Sequence, residues 1–264
     1  MEPFDSSKIK AKTSFRRRLI IVSMFAIGLI LTAFAARELL LGLHDDVAAQ
    51  TEYAQLRQMG TAMFIEYIPG LTEPESESNS AGYEEYISPQ EQIEALLLSL
   101  TEINPHFIGW ISIPGTSVDY PVVLGPDNFL YLHTTFNGIR NPAGAIFMDY
   151  RGTAGFNAPV SLIHGHNMRD GSMFSSLTDY LDQEFMNRYP EIIIVTADGE
   201  RLVYNIFAVR RTDAWDDVYT FDFNDYEAAE KLFGATDTNR ILILSTCMGG
   251  SDRNARLLVL AALN

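Results

Sequence analysis

The chain has 264 residues, 47% of them hydrophobic, with 34 acidic against 19 basic side chains and a net charge of −15 at pH 7. That balance argues against nucleic acid and against docking on anionic lipid headgroups, since both reward clustered Lys and Arg. A single cysteine excludes an intramolecular disulfide, so a hydrophobic core must stabilise any exported part.

Residues 1–18 hold six Lys and Arg against two acids, and LIIVSMFAIGLILTAFAA follows over 19–36, uncharged and flanked by Arg18 and Arg37. A helix of that length spans about 27 Å, close to the hydrocarbon core of a bilayer. The positive-inside bias predicts a cytoplasmic basic segment at 1–18, an uncleaved single-pass anchor at 19–36 in the cell membrane, and an extracellular remainder. Ala33-Phe34-Ala35 offers the competing reading of a signal-peptide cleavage site, but secretory apolar segments usually run only about 7 to 15 residues.

Residues 37–68 carry Leu39, Leu40, Leu43, Val47, Tyr53, Leu56, Met59 and Met63 at mixed spacing, as in a helix or membrane-proximal stalk. Residues 69–88, PGLTEPESESNSAGYEEYIS, are acidic, Ser-rich and nearly free of aliphatics. Such a composition buries too little to offset the entropy of ordering, so a flexible linker is expected. The remaining 89–264 is a usual size for one domain.

That domain opens at Ser88-Pro89-Gln90-Glu91, with Pro suited to a first helical position and Ile93, Leu96, Leu97 and Leu100 at helical spacing. After Asn104-Pro105 the texture changes to eight short apolar runs, at 109–113, 120–124, 145–148, 160–164, 192–196, 202–209, 241–244 and 257–260. Turn residues separate them, and Asp198-Gly199 reads as a tight hairpin. Eight candidate strands with few long helices predict a mainly β fold, a closed or nearly closed barrel. Helical character interrupts at 127–133, at 173–182, where Phe174, Leu177 and Leu181 share a face, and at 222–234.

The sole cysteine, Cys247, ends the run Ile241-Leu-Ile-Leu-Ser-Thr-Cys247, and Gly249-Gly250 then releases the chain into a loop. It reads either as a small buried hydrophobe or as a nucleophile. A nucleophilic thiol needs a base and a cation near the attacked carbonyl. Of the five histidines, His44, His106 and His133 read as surface residues, while His164 and His166 end another apolar run. An H-x-H pair could bind a metal, but two ligands without an evident third are weak support for one. The cations are Arg253 and Arg256, and a Cys ending one strand would face an Arg opening the next across a hairpin.

Together Gly165-His166-Asn167-Met168, Leu244-Ser-Thr-Cys247 and Arg256-Leu-Leu-Val resemble a sortase, a membrane-anchored cysteine transpeptidase of Gram-positive cell surfaces. Gly109-Trp-Ile-Ser-Ile-Pro-Gly-Thr, Val118-Asp-Tyr-Pro-Val-Val, Ile146-Phe-Met-Asp-Tyr-Arg151 and His166-Asn-Met-Arg-Asp-Gly-Ser-Met-Phe174 resemble class B in particular. The likeness covers about residues 90–264 and implies an eight-stranded closed barrel with peripheral helices, one of them at 222–234 between the sixth and seventh strands. It departs from the family's usual Thr at Ile243 and frequent Tyr at His164, and its Cys-to-Arg loop is short.

The resemblance implies Cys247 as nucleophile, His166 as general acid and base, and Arg256 for the oxyanion or substrate carbonyl, with Ser245, Thr246 and Asn167 binding substrate. It implies no metal and no cofactor. Expected partners are exported proteins with a C-terminal sorting signal of Asn-Pro-x-Thr-x type, and an amine acceptor on a peptidoglycan precursor or a pilin lysine. A papain-like cell-wall hydrolase would place its Cys before its His and at the start of a helix, the reverse of this order. A non-catalytic assembly scaffold of the same fold would more naturally lack Cys, His or Arg.

Overall fold

The computed structural model describes residues 6–65, 88–223, 240–250 and 252–264, together with Asp225, Glu227 and Lys231. All of the expected linker at 69–88 except Ser88, and most of the expected helix at 222–234, lie outside the described residues. The chain divides into two compact units, Met1–Val47 and Ala48–Asn264.

Helix α1 runs Ser6–Ile65. Among the described residues Ser23–Gly60 is the one helical stretch long and apolar enough to cross a membrane, an 18-residue window within it having a mean hydropathy of 1.9. Its side chains in the first unit, such as Phe25 and Leu29, are exposed. From Ala48 onward the same helix belongs to the second unit, which therefore takes in part of the segment read as a stalk. There Ala49, Tyr53 and Leu56 recur at i, i+4 and i+7 and are buried in the main core. Arg57 lies over the Tyr120 ring at 5.4 Å. Gly60 meets Trp110 so closely that an added Cβ would stand 2.5 Å from the indole.

Helix α2 spans Pro89–Ile103 and starts with a reciprocal capping box: the Ser88 hydroxyl accepts from the Glu91 amide while the Glu91 carboxylate accepts from the Ser88 amide. Ile93, Leu97 and Leu100 form its buried stripe, and it ends before Pro105.

Each of the eight apolar runs is a strand: β1 Phe107–Ser112, β2 Asp119–Leu124, β3 Ile146–Met148, β4 Val160–His164, β5 Glu191–Thr196, β6 Arg201–Asp213, β7 Ile241–Cys247 and β8 Ala255–Leu263. They close into a barrel in the order β1-β2-β3-β4-β7-β8-β6-β5, with β5 returning to β1. The β5–β6 turn carries Gly199 at φ +88, and the Gly199 amide donates to the Thr196 carbonyl, so the Asp-Gly signal does form a hairpin.

Two pairs in this barrel are parallel, β2 with β3 and β4 with β7. Parallel neighbours cannot be joined by a tight turn and require a crossover. The β2–β3 crossover re-enters the barrel, and the β4–β7 connection leaves it, at the end where β4 and β7 finish, and both carry chemistry.

The runs in β4, β7 and β8 are continuously apolar because these strands are covered on both faces. Ile163, Leu242, Leu244, Leu257 and Val259 point into the main core. Leu162, Ile243, Leu258 and Leu260 face a second cluster capped by Val218, Phe221 and Phe223.

The helical face expected at 173–182 is a correction. Ser175–Leu181 is a 3-10 helix, in which Leu177 and Tyr180 are buried and Leu181 is 39% exposed. Three residues per turn place Phe174, Leu177 and Tyr180 on one face, whereas the 3.6-residue spacing pointed to Leu181. Residues 127–133 similarly form only a 3-10 turn, Leu130–Leu132. Next, Gln183–Arg188 forms the short helix α3, capped by Asp182, whose side chain accepts from the Glu184 amide.

Candidate active site

Cys247 is the last residue of β7, and its Cα partner on β8 is Arg256. The hairpin between them uses Gly249 at φ +73 and Gly250 at φ +85, conformations that L side chains rarely adopt, so the double glycine matches a turn that needs it. Arg256 is half-buried and its Nη1 donates to the carbonyls of Arg253 at 2.9 Å and Ala255 at 3.1 Å. Those bonds tie the guanidinium to the chain around the hairpin. Arg253 itself is exposed on the loop.

His164 ends β4 opposite Ser245 on β7, two residues before the thiol. The chain then turns through Gly165, where a Cβ would come within 2.6 Å of both Ile146 and Phe174. Only glycine allows His166 this close to the barrel mouth. Side chains clip the turn to β7: Thr246 Oγ1 donates to the Gly165 carbonyl at 2.8 Å, and Asn167 Nδ2 donates to the Cys247 carbonyl at 2.9 Å. Ser175 Oγ in turn donates to Asn167 Oδ1 at 3.0 Å. Met173, held at φ +57 with its amide bonded to the Tyr120 hydroxyl, completes the loop.

His166 Nε2 lies 2.9 Å from the Leu132 carbonyl, and the imidazole stacks on His133 with centroids 6.2 Å apart. The amide of Phe174 donates to the His166 carbonyl at 2.9 Å. His133 is exposed, as its sequence context suggested, yet it serves as the platform for the other ring.

A cleft of about 450 Å³ runs past these groups, and Cys247, His166, Arg256, Ser245 and Thr246 all line it. Phe129, Leu132 and Phe147 supply apolar wall. The structure thus brings the three expected catalytic residues to one cavity. The three expected substrate-binding residues are engaged with the protein itself: Ser245 Oγ is 2.8 Å from the Tyr219 hydroxyl, while Thr246 and Asn167 hold the turn after β4.

A buried carboxylate to which the sequence assigns no role touches two of the cleft's lining residues, Asn128 and His164. Asp149, 1% exposed just beyond β3, accepts from Arg151 Nε at 2.7 Å, Arg151 Nη2 at 2.8 Å and Asn128 Nδ2 at 2.9 Å, and lies 3.4 Å from His164 Nε2. Burial opposes its ionisation, but the Arg151 and His164 contacts outweigh that and hold the carboxyl well below the usual range. The Arg151 guanidinium also lies 4.6 Å over the Phe223 ring. His164 stacks on Tyr219 at 6.2 Å, and burial pushes the Tyr219 phenol up, keeping it a donor. The available signal was an Asp two residues before an Arg at the end of an apolar run.

His164 and His166 point to different partners, and among the described residues no group of three or more His, Cys, Asp and Glu could hold a metal ion.

A closed β-barrel that ends one strand on a lone thiol, opposes it with an arginine and brings an imidazole to the same cleft defines a cysteine-dependent acyl-transfer enzyme. Comparison with known proteins identifies which. The model of the sortase domain matches residues 111–264. The sortase B of Listeria monocytogenes is 37% identical over 166 residues, which cover 57% of this chain and 66% of that protein, just under two thirds. The solved sortase B of Clostridium perfringens is 31% identical with a TM-score of 0.56, over 63% of this chain and 98% of that one. A Streptococcus pyogenes class B sortase involved in pilus biogenesis is 30% identical with a TM-score of 0.54, over 63% of this chain and 96% of that one. The chain belongs to the sortase family of cysteine transpeptidases, and to class B within it.

Proposed function

We propose that this protein is a membrane-anchored sortase that cleaves C-terminal sorting signals of Asn-Pro-x-Thr-x type in exported proteins and joins the shortened chains to an amine of a cell-wall peptidoglycan precursor. The observation that carries this reading is the cross-strand pair Cys247 and Arg256 at a cleft that His166 also lines.

The chemistry follows from those groups. Cys247 Sγ gives up its proton to His166 and attacks the Thr carbonyl carbon, forming a C–S bond and an oxyanion that faces the Arg256 guanidinium. Collapse breaks the C–N bond, and His166 gives its proton to the departing amine, leaving a thioacyl enzyme. The acceptor amine then attacks the thioester and loses a proton to His166. The C–S bond breaks, the leaving thiolate takes that proton back from His166, and the thiol is regenerated. Phe129, Leu132 and Phe147 give the peptide an apolar wall that excludes water, the competing nucleophile.

The uncharged run at 19–36 and the basic residues before it support an N-terminus in the cytoplasm and a catalytic domain outside. The acidic segment 69–88 supports a linker between membrane-proximal helix and domain. A second reading, polymerisation of pilins through a lysine acceptor, is favoured by the likeness to the S. pyogenes enzyme of pilus biogenesis.

The experiment is a peptide-cleavage assay with Asn-Pro-x-Thr-x peptides, followed by mass spectrometry. The proposal expects a covalent adduct on Cys247 that an amine discharges; absence of the adduct with every such peptide overturns it. A pilin-lysine peptide and a peptidoglycan-type amine offered together decide between the two acceptors.

A further inference from the structure

The imidazole of His166 is oriented from outside the barrel. Its two partners, the Leu132 carbonyl and the His133 ring, belong to the β2–β3 crossover and to no strand. That crossover is closed upon itself: the amides of Ala145, Asn141 and Thr135 donate to the carbonyls of Tyr131, His133 and Ile139 at 2.9, 2.9 and 2.8 Å. Gly144 at φ +58 sits directly behind it, where a Cβ would stand 2.7 Å from the Leu132 carbonyl oxygen.

Helix α1 grips this closed loop with two adjacent side chains. Glu52, 7% exposed, accepts from Thr135 Oγ1 at 2.8 Å and from the Asn137 amide at 3.0 Å. Tyr53, 3% exposed, donates its hydroxyl to the Gly144 carbonyl at 2.6 Å and accepts from the Phe136 amide at 3.3 Å. Burial pushes the Tyr53 phenol well above its ordinary range, so it remains a donor at any working pH. Neither residue lines the cleft.

We infer that Glu52 and Tyr53 are positioning residues for His166, fixing the loop whose Leu132 carbonyl and His133 ring orient the imidazole. This rests on the reading of His166 as the acid and base. The physical reason is entropic: a connection of this length orders only if contacts outside it offset the cost. These four hydrogen bonds fall on Thr135, Phe136 and Asn137, just after the Leu132–His133 pair, and on Gly144, whose backbone lies against the Leu132 carbonyl. Acid–base catalysis is sensitive to such placement, since a shift of about 1 Å in a reacting group costs about 10²-fold.

The test uses the full chain in detergent micelles, with Tyr53→Phe, Glu52→Ala and Glu52→Gln against Gln58→Ala, an exposed position on the same helix. Peptide cleavage gives kcat and KM. Proton NMR follows the exchange-protected imidazole N–H of His166, assigned by its absence in His166→Ala.

Tyr53→Phe and Glu52→Ala should lower kcat about tenfold, leave KM within about twofold, and lose the protected imidazole signal. Glu52→Gln keeps an acceptor for the Asn137 amide and should recover most of the rate. Gln58→Ala should behave as wild type. Wild-type kcat in a folded Tyr53→Phe protein overturns the inference, as does a reduced kcat with the imidazole signal intact. If Glu52→Ala fails to fold, the near-isosteric Tyr53→Phe decides alone. His166→Ala separates the layers: undiminished cleavage there would overturn the acid–base reading itself, whereas its loss alongside an unaffected Tyr53→Phe overturns only the role of α1.

Discussion

Cys247 and Arg256 face each other on a backbone ladder, whereas His166 is held in a loop by a carbonyl, a second imidazole and a set of side-chain clips. On the ladder, β7 and β8 pair over seven registered positions from Ile241 to Cys247, and both faces of the sheet are packed. Backbone hydrogen bonds set that register whatever the side chains are, so the thiol and guanidinium are placed by the fold as a whole. The loop after β4 has no such ladder. It depends on Thr246, Asn167, Gly165 and the β2–β3 crossover, each contributing a contact that a single substitution removes. A ladder-borne group should therefore be lost only by changing that group, whereas a loop-borne group should also be lost at a distance.

The largest expected effect is on the ladder. Cys247→Ala should abolish the thioacyl adduct seen by mass spectrometry and leave the melting temperature nearly unchanged, because the thiol at a strand end leaves only a small cavity. Residual cleavage by that variant would remove the nucleophile from β7. His166→Ala should lower kcat by about 10²- to 10⁴-fold, while Cys247 still reacts with a small alkylating reagent.

Arg256→Ala should cost about 10²- to 10³-fold in kcat, and Arg253→Ala, on the exposed loop, close to nothing. The opposite ranking in the same peptide assay would mean that the hairpin, not the ladder, presents the functional cation.

Asp149→Asn probes the wall between the two regions and should act on stability. It leaves Arg151 and His164 without their carboxylate, at a cost of about 2–4 kcal/mol, reduced from the fully buried case because Arg151 is 27% exposed. Asp149 is held below the usual carboxylate range when folded, so its stabilisation is present above the unfolded value of about 3.9. It is lost as pH falls through the lower folded value. Denaturant titrations from pH 7 downward should show wild type losing more stability on acidification than Asp149→Asn.

The smallest effect tests the corrected 3-10 face: Leu181→Ser should change stability by less than about 0.5 kcal/mol, while Tyr180→Ala should cost about 3–5 kcal/mol. Equal costs would restore the α-helical spacing.

The strands and the ladder site were legible in the sequence. Continuous apolar runs broken by Gly, Pro and Asp-Gly mark strands directly, and all eight runs are strands of the barrel. Cys247 and Arg256 at the facing ends of two such runs, with Gly249-Gly250 between, determine a hairpin that brings them together without further information. The apolar segment 19–36 with its basic flank is equally local.

What only the tertiary structure decided is carried by contacts between distant segments. Nothing in His133 or Leu132 marks them as partners of His166, because the link is one ring stack and one carbonyl. Tyr53 and Leu56 read as a stalk because their burial requires a barrel wall built from residues more than fifty positions later. Asp149 is a carboxylate like any other until folding removes its water and leaves Arg151 and His164 in its place. Periodicity and turn chemistry act between neighbours in the chain, and so a sequence displays them. A side chain's partners across a crossover depend on barrel closure and strand register, which exist only once the whole domain has folded.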